Sequence, residues 1–122
     1  MSLKISVQML DPPVIALVGR LDTHTAPELD QTLDQVLADA AVTRLVFELG
    51  KLEYLSSAGI RCFIRARKVI EPRGGKVALV NPQPAVRKVL DIVKAIPGGI
   101  FTSVAELDAY LDEMQRQVRE GQ

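Results

Sequence analysis

The sequence predicts an α/β fold built on a mixed, mostly parallel β-sheet of four or five strands packed with about four α-helices. Three observations carry this. Strand-sized apolar runs alternate with segments whose apolar residues recur at helical spacing, the pattern of parallel strands joined by crossover helices. The first two strand runs are separated only by the turn signal "DPP", so they form an antiparallel pair. A chain of 122 residues is the length of one domain, with its core over about residues 4–115 and a polar tail at 116–122. The resulting order is β-β-α-β-α-β-α-β-α.

Taken in order, "KISVQML" and "VIALVG" are the antiparallel strands. "THTAPELD" opens the first helix, with Thr25 and Glu28 spaced for a capping box and Pro27 in the first turn. Leu29, Leu33, Val36, Leu37 and Ala40 form its inward stripe, and Asp30, Gln31, Asp34 and Gln35 its outer side. "RLVFEL" is the third strand, and "GKLEYL" connects it to two adjacent serines. The second helix runs from about Ser57 to Ile70, with Cys62, Phe63, Ala66, Val69 and Ile70 inward. It stops at "EPRGG", where proline cannot continue a helix and glycine permits positive φ. "KVALV" is apolar enough to be a strand covered on both faces. "NPQPAVRKVLDIV" starts a third helix with Val86, Val89, Leu90 and Val93 inward, ending near "IPGG". "IFTS" is a short last strand. Ser103 and Glu106 then form a second capping box, opening a helix with Val104, Leu107, Leu111 and Met114 inward.

Composition excludes several classes of function. Lys plus Arg and Asp plus Glu number 15 each, so no global basic field draws nucleic acid or acidic lipid. The apolar runs fall far short of the ~20 residues a membrane helix needs, so no membrane insertion is expected. The N-terminal "MSLKISVQML" lacks the organisation of a signal peptide. One cysteine, Cys62, leaves no intramolecular disulfide and fits a reducing cytoplasm, the expected location. One Cys and one His, with no D-x-D-x-D-G loop or H-E-x-x-H pair, give no metal site. "RGGKV" lacks the first glycine, the spacing and the Ser/Thr of a phosphate loop, so no cofactor is expected.

Catalysis by the chain itself is also unexpected. A nucleophilic serine needs a base within hydrogen-bond reach, and the only histidine is His24. "YLSSAG" is not the G-x-S-x-G elbow. A small hydrolase using Ser57 and His24 is therefore the weakest of the readings. Cys62 lies on an apolar stripe, as a core cysteine does.

Two serines at a helix start need an account. One is enough for an N-cap, since its hydroxyl accepts a bond from a first-turn amide. A helix N-terminus, with unpaired N–H groups and a positive dipole end, also accommodates a phosphate. Phosphorylation there adds nearly two negative charges without unfolding the helix. Arg61, Arg65 and Lys68 follow along one face of the same helix, as a solvated basic face or as a docking strip continuous with the serines.

"LVGRLDTHTA", "LVFELGKLEYLSSAGIRCFIRARK" and "GGKVALVNPQPAVRKVLD", in this order and spacing, resemble the STAS domain of bacterial anti-sigma factor antagonists. The likeness spans nearly the whole chain. It implies a partner-switching protein that, when unphosphorylated, binds an anti-sigma factor with a GHKL-type serine kinase fold and frees its client. The kinase then phosphorylates one serine and a PP2C-type phosphatase resets the switch. The family's acceptor stands two residues before the motif glycine, which here is Gly59, so the resemblance points to Ser57. Ser56 stands where the family often has aspartate and is the alternative acceptor; Ala58 stands where Ser or Thr is common. The resemblance also sets the loop of Asp22, Thr23, His24 and Thr25 beside the serine loop as partner-binding surface, although Asp22 equally suits a local cap. The implied partner surface is Asp22, Thr23, His24, Thr25, Ser56, Ser57, Ala58, Gly59, Arg61 and Arg65. A second reading within the family is a non-phosphorylated STAS scaffold or sensory module, in a stressosome-like assembly or as a lipid-transport accessory subunit.

Overall fold

The computed structural model describes the backbone of residues 2–94 and the side chains as far as residue 91. Strand β1 (Leu3–Gln8) runs antiparallel to β2 (Val14–Leu21), in register from Leu3 opposite Gly19 to Gln8 opposite Val14. Two parallel strands follow, β3 (Arg44–Leu55) against β2 and β4 (Lys76–Val80) against β3, giving the sheet order β1-β2-β3-β4. Helix α1 (Ala26–Leu37) makes the first crossover, α2 (Ser57–Ile70) the second, and α3 (Pro84–Lys94) follows β4. The expected alternation of elements thus holds over the described residues. The side chain of Val93, the expected "IFTS" strand, the helix opened by Ser103 and Glu106, and the tail lie outside them.

Both parallel crossovers step one strand in the same direction. Right-handed crossovers of that kind put their helices on one face of the sheet, and α1 and α2 do pack together there. Ile15, Leu17, Leu45, Phe47 and Leu49 point into this layer, against Leu29 and Leu33 of α1 and Ile60, Phe63, Ala66 and Ile70 of α2. Phe47 and Phe63 meet at 4.8 Å between ring centroids, tilted by 59°. On the other face, Lys4, Ser6, Val18, Lys76 and Ala78 are exposed. This corrects the expectation for "KVALV": among the described residues β4 packs by Val77 and Leu79 on one face only, and Lys76 and Ala78 on the other are exposed, because no described crossover runs across it.

The third strand is also longer than expected. "RLVFEL" and "GKLEYL" form one continuous strand of 12 residues. Pairing with β2 slips twice, between Ala16 and Val18 and between Gly19 and Arg20, so the 8 residues of β2 match a longer stretch of β3. Bulges of this kind re-aim side chains. After Leu49 the inward residues are therefore Leu52 and Leu55, at a spacing of three that period-two reading cannot recognise as a strand.

Helix α1 ends at Leu37, with Ala38 as its C-cap, so Ala40 is exposed instead of completing the inward stripe. Arg73, from the single 3-10 turn after α2, reaches across to the carbonyls of Leu37 (2.9 Å), Asp39 (3.1 Å) and Val42 (2.9 Å). It gives the Leu37 carbonyl, at the end of α1, a partner that the helix does not supply, and ties down the loop that follows. Gly74 follows in the left-handed region, at φ 81°, as the "EPRGG" stop requires.

Candidate functional site

The candidate site lies where β2 and β3 end. Leu21 pairs with Leu55, so the loops that follow them leave the sheet side by side. The Ser56 N–H donates to the Leu21 carbonyl at 2.9 Å and ties the loops together.

In the first loop, Asp22 organises the turn into α1. Its carboxylate accepts the backbone N–H of His24 at 3.0 Å and of Thr25 at 3.1 Å. The Thr25 hydroxyl accepts the Asp22 N–H at 2.9 Å and donates to the Arg20 carbonyl at 2.9 Å. The expected capping box of Thr25 and Glu28 does not form, since the Thr25 side chain makes no cap bond to α1. The hydroxyl is committed backwards to the loop, and Asp22 takes the capping role one turn earlier. Burial works against the Asp22 charge, but the N–H groups of Thr25 and His24, the Thr25 hydroxyl and the nearby His24 outweigh it. They hold the carboxyl below its ordinary value of 3.8.

In the second loop, Ser56 is the N-cap of α2. Its backbone is extended (φ −98°, ψ 173°) and its hydroxyl accepts the Gly59 N–H at 3.4 Å. Ser57 is the first residue of the helix. Both serines are 7% exposed. Gly59 is dictated by packing: a Cβ there would sit 2.6 Å from the Leu21 Cγ and 2.6 Å from the Leu55 Cδ1. Its absence lets the first turn of α2 rest directly on the ends of β2 and β3.

Between the starts of α1 and α2 lies a cleft of about 340 Å³. Thr23, Ala58, Arg61 and Arg65 line it together with Asp30 and Cys62. His24 is exposed outside it. Arg65 is committed within the molecule, to Asp30 at 3.2 Å and to Asp34 by a short hydrogen bond. The bond to Asp34, opposed by burial and helped by the charges of Asp34 and Asp30, raises its already high pKa further. The cationic strip expected along α2 is thus partly neutralised by the outer face of α1. Burial, with Asp30 next, pushes the Cys62 thiol up to about 12 against the opposing charges of Arg65 and Arg61, so it is no thiolate at neutral pH. The His24 ring makes no hydrogen bond among the described residues, so no serine-histidine pair is built around it. No group of three or more metal-ligating side chains occurs among the described residues, and none of their helices is long and apolar enough to cross a membrane.

One feature of this region was not legible in the sequence. The Arg20 guanidinium lies 4.1 Å from the centre of the Tyr54 ring, beside the Asp22 loop. The strand bulges bring these two residues into register. Thirty-four positions apart, with a doubly slipped pairing between them, they leave no signal in spacing.

A family model described as the STAS domain matches residues 4–107. An anti-sigma F factor antagonist of Paenibacillus polymyxa is 27% identical over 79 residues, covering 65% of this chain and 68% of the relative. BtrV of Bordetella bronchiseptica (strain ATCC BAA-588 / NCTC 13252 / RB50), a candidate anti-sigma factor antagonist, is 32% identical over 91 residues, covering 74% of this chain and 78% of the relative. Among solved structures, the anti-sigma factor antagonist SpoIIAA in its unphosphorylated form is similar with a TM-score of 0.68 at 26% identity, over 75% of this chain and 81% of that one. The phosphorylated form of SpoIIAA, described as a Bacillus cell fate determinant, gives 0.63 at 25% identity, over 74% and 83%.

Proposed function

The chain belongs to the STAS domain family, and from that premise we propose that it is an anti-sigma factor antagonist working by partner switching in the cytoplasm. Unphosphorylated, it binds an anti-sigma factor of the GHKL-type serine kinase class and releases that factor's client. Phosphorylation of Ser57 by the kinase ends the complex, and a PP2C-type phosphatase restores it. The chain supplies a hydroxyl and a surface; the kinase supplies ATP, metal and catalysis.

The observation that carries the reading is the place of Ser57 as the first residue of α2, directly after its N-cap. The Ser56 hydroxyl is taken by the Gly59 N–H as the cap of α2. Ser57, one position on, stands at the helix N-terminus, where a phosphate meets first-turn N–H groups and the positive end of the dipole. A dianion added there alters what the surface can dock against while leaving the sheet and helices in place. The loop of Asp22 to Thr25, bonded to the serine loop through Leu21, supplies the rest of the contact surface through Asp22, Thr23 and His24, with Thr25 buried beneath them. SpoIIAA, a relative of known structure, exists in phosphorylated and unphosphorylated forms.

A single observation favours a second reading, the non-phosphorylated scaffold or sensor. At 7% exposure the Ser57 side chain must turn outward before a kinase can reach it. Intact-mass measurement with site mapping decides between them, after incubation with ATP, Mg²⁺ and the GHKL-type kinase encoded nearest the gene. One phosphate on Ser57 is expected, and Ser57→Ala should bind the kinase without being modified. A phosphate on Ser56 would move the acceptor. No phosphate, from a kinase active on another substrate, would favour the scaffold.

A further inference from the structure

We propose that Arg20 and Tyr54 form a preorganised anchor for an acidic side chain of the anti-sigma partner, extending the docking surface from the serine loops onto the face of the sheet away from α1 and α2. The inference rests on the antagonist reading above and adds the residues that set affinity and partner choice.

The cations near the serines are not equivalent. Arg65 spends its donors on Asp30 and Asp34 and must leave both before it can meet a partner. Arg20 is stacked on Tyr54 at 4.1 Å, and its side chain remains 45% exposed. Among the described residues its only ion-pair partner is Asp22, at 3.9 Å, too far for a hydrogen bond. A guanidinium carries five N–H donors in a planar fork, so a stacked Arg20 holds in a fixed plane donors that no hydrogen bond among the described residues takes up. The Tyr54 hydroxyl is likewise without a hydrogen bond among the described residues.

Stacking restrains a side chain whose immobilisation normally opposes binding. Arginine and tyrosine in such settings are the residue types most often found to dominate an interface. The chemistry that completes the pair is a carboxylate, which matches the guanidinium fork through two parallel bonds while the phenol supplies a further donor. Position supports the assignment. Arg20 pairs with Tyr54 in the sheet one step before Leu21 pairs with Leu55, so the anchor directly adjoins the loops of Asp22 and Ser56.

The test measures the affinity of the unphosphorylated full chain for the GHKL-type kinase encoded nearest the gene, as a function of salt. Arg20→Ala and Tyr54→Ala should each weaken binding about tenfold or more, the range of a hot-spot residue. Arg20→Lys keeps the charge but loses the planar fork and should recover only part of the loss. Unchanged thermal unfolding of the variants shows that the fold is intact, and Arg20→Ala should show a shallower decline of affinity with salt. Wild-type affinity in a folded Arg20→Ala protein would overturn the anchor. A weakened complex with undiminished salt dependence would overturn its acidic partner. If the wild-type chain does not bind the kinase, the antagonist reading fails and the anchor fails with it.

Discussion

Asp22 and Ser56 show how much of the candidate site is ordinary backbone chemistry. Each uses a side-chain oxygen to satisfy N–H groups at the start of a helical turn, and both stand beside the residue proposed to change state. For Asp22 the bonds to His24 and Thr25 belong to the charged carboxylate, which is why its pKa lies below the usual value. A group with a depressed folded-state pKa stabilises the fold fully above its unfolded pKa, and this contribution is lost as pH falls through the folded value. Asp22→Ala is accordingly expected to lower stability by about 1 kcal/mol at neutral pH, as loss of a cap does. The deficit relative to wild type should shrink below pH 3.8, the ordinary carboxyl value. Denaturant titrations at neutral and acid pH check it; an equal deficit at both would mean that the charge is irrelevant.

The first turn of α2 depends on an atom that is missing. Gly59 allows the helix to sit on Leu21 and Leu55, and any Cβ would press into both. Gly59→Ala should therefore destabilise by about 1–3 kcal/mol, the cost of overpacking a well-filled contact, and should displace the serine loop. Thermal unfolding together with the rate of Ser57 phosphorylation checks the expectation: a stable variant phosphorylated at the wild-type rate would contradict it. Element types and their order were readable because the apolar periods of β1, β2, α1 and α2 are regular. The extension of β3 to Leu55 was not readable, since two bulges set by pairing with β2 break the alternation. The capping box at Thr25 misled for a related reason. Its spacing was present, but the hydroxyl found stronger use in bonds to Arg20 and Asp22, groups that only the folded turn brings close.

At the scale of the whole sheet, the described residues put the core on one face and the exposed Lys4, Ser6, Val18, Lys76 and Ala78 on the other. Phe47, fully buried and packed on Phe63, joins the centre of the sheet to α2. Phe47→Ala should cost about 3–5 kcal/mol, a large share of the roughly 5–15 kcal/mol typical of a domain. Chemical denaturation measures it, and a loss below about 1 kcal/mol would mean that the core can close over the gap. The sequence by itself determined the α/β class, the antiparallel start, the span of α2 and the position of two serines at its N-terminus, because periodicity, turn signals and caps are local properties. Only the tertiary structure decided that α1 and α2 share one face, that Arg65 is held by Asp30 and Asp34, that Asp22 caps its own loop and that Arg20 rests on Tyr54. The Asp22 cap is local, but the sequence left it open against a place in the partner surface. The contacts of α1 with α2, of Arg65 with Asp30 and Asp34 and of Arg20 with Tyr54 join residues distant in the chain and are fixed by strand register and crossover direction, which no local pattern records.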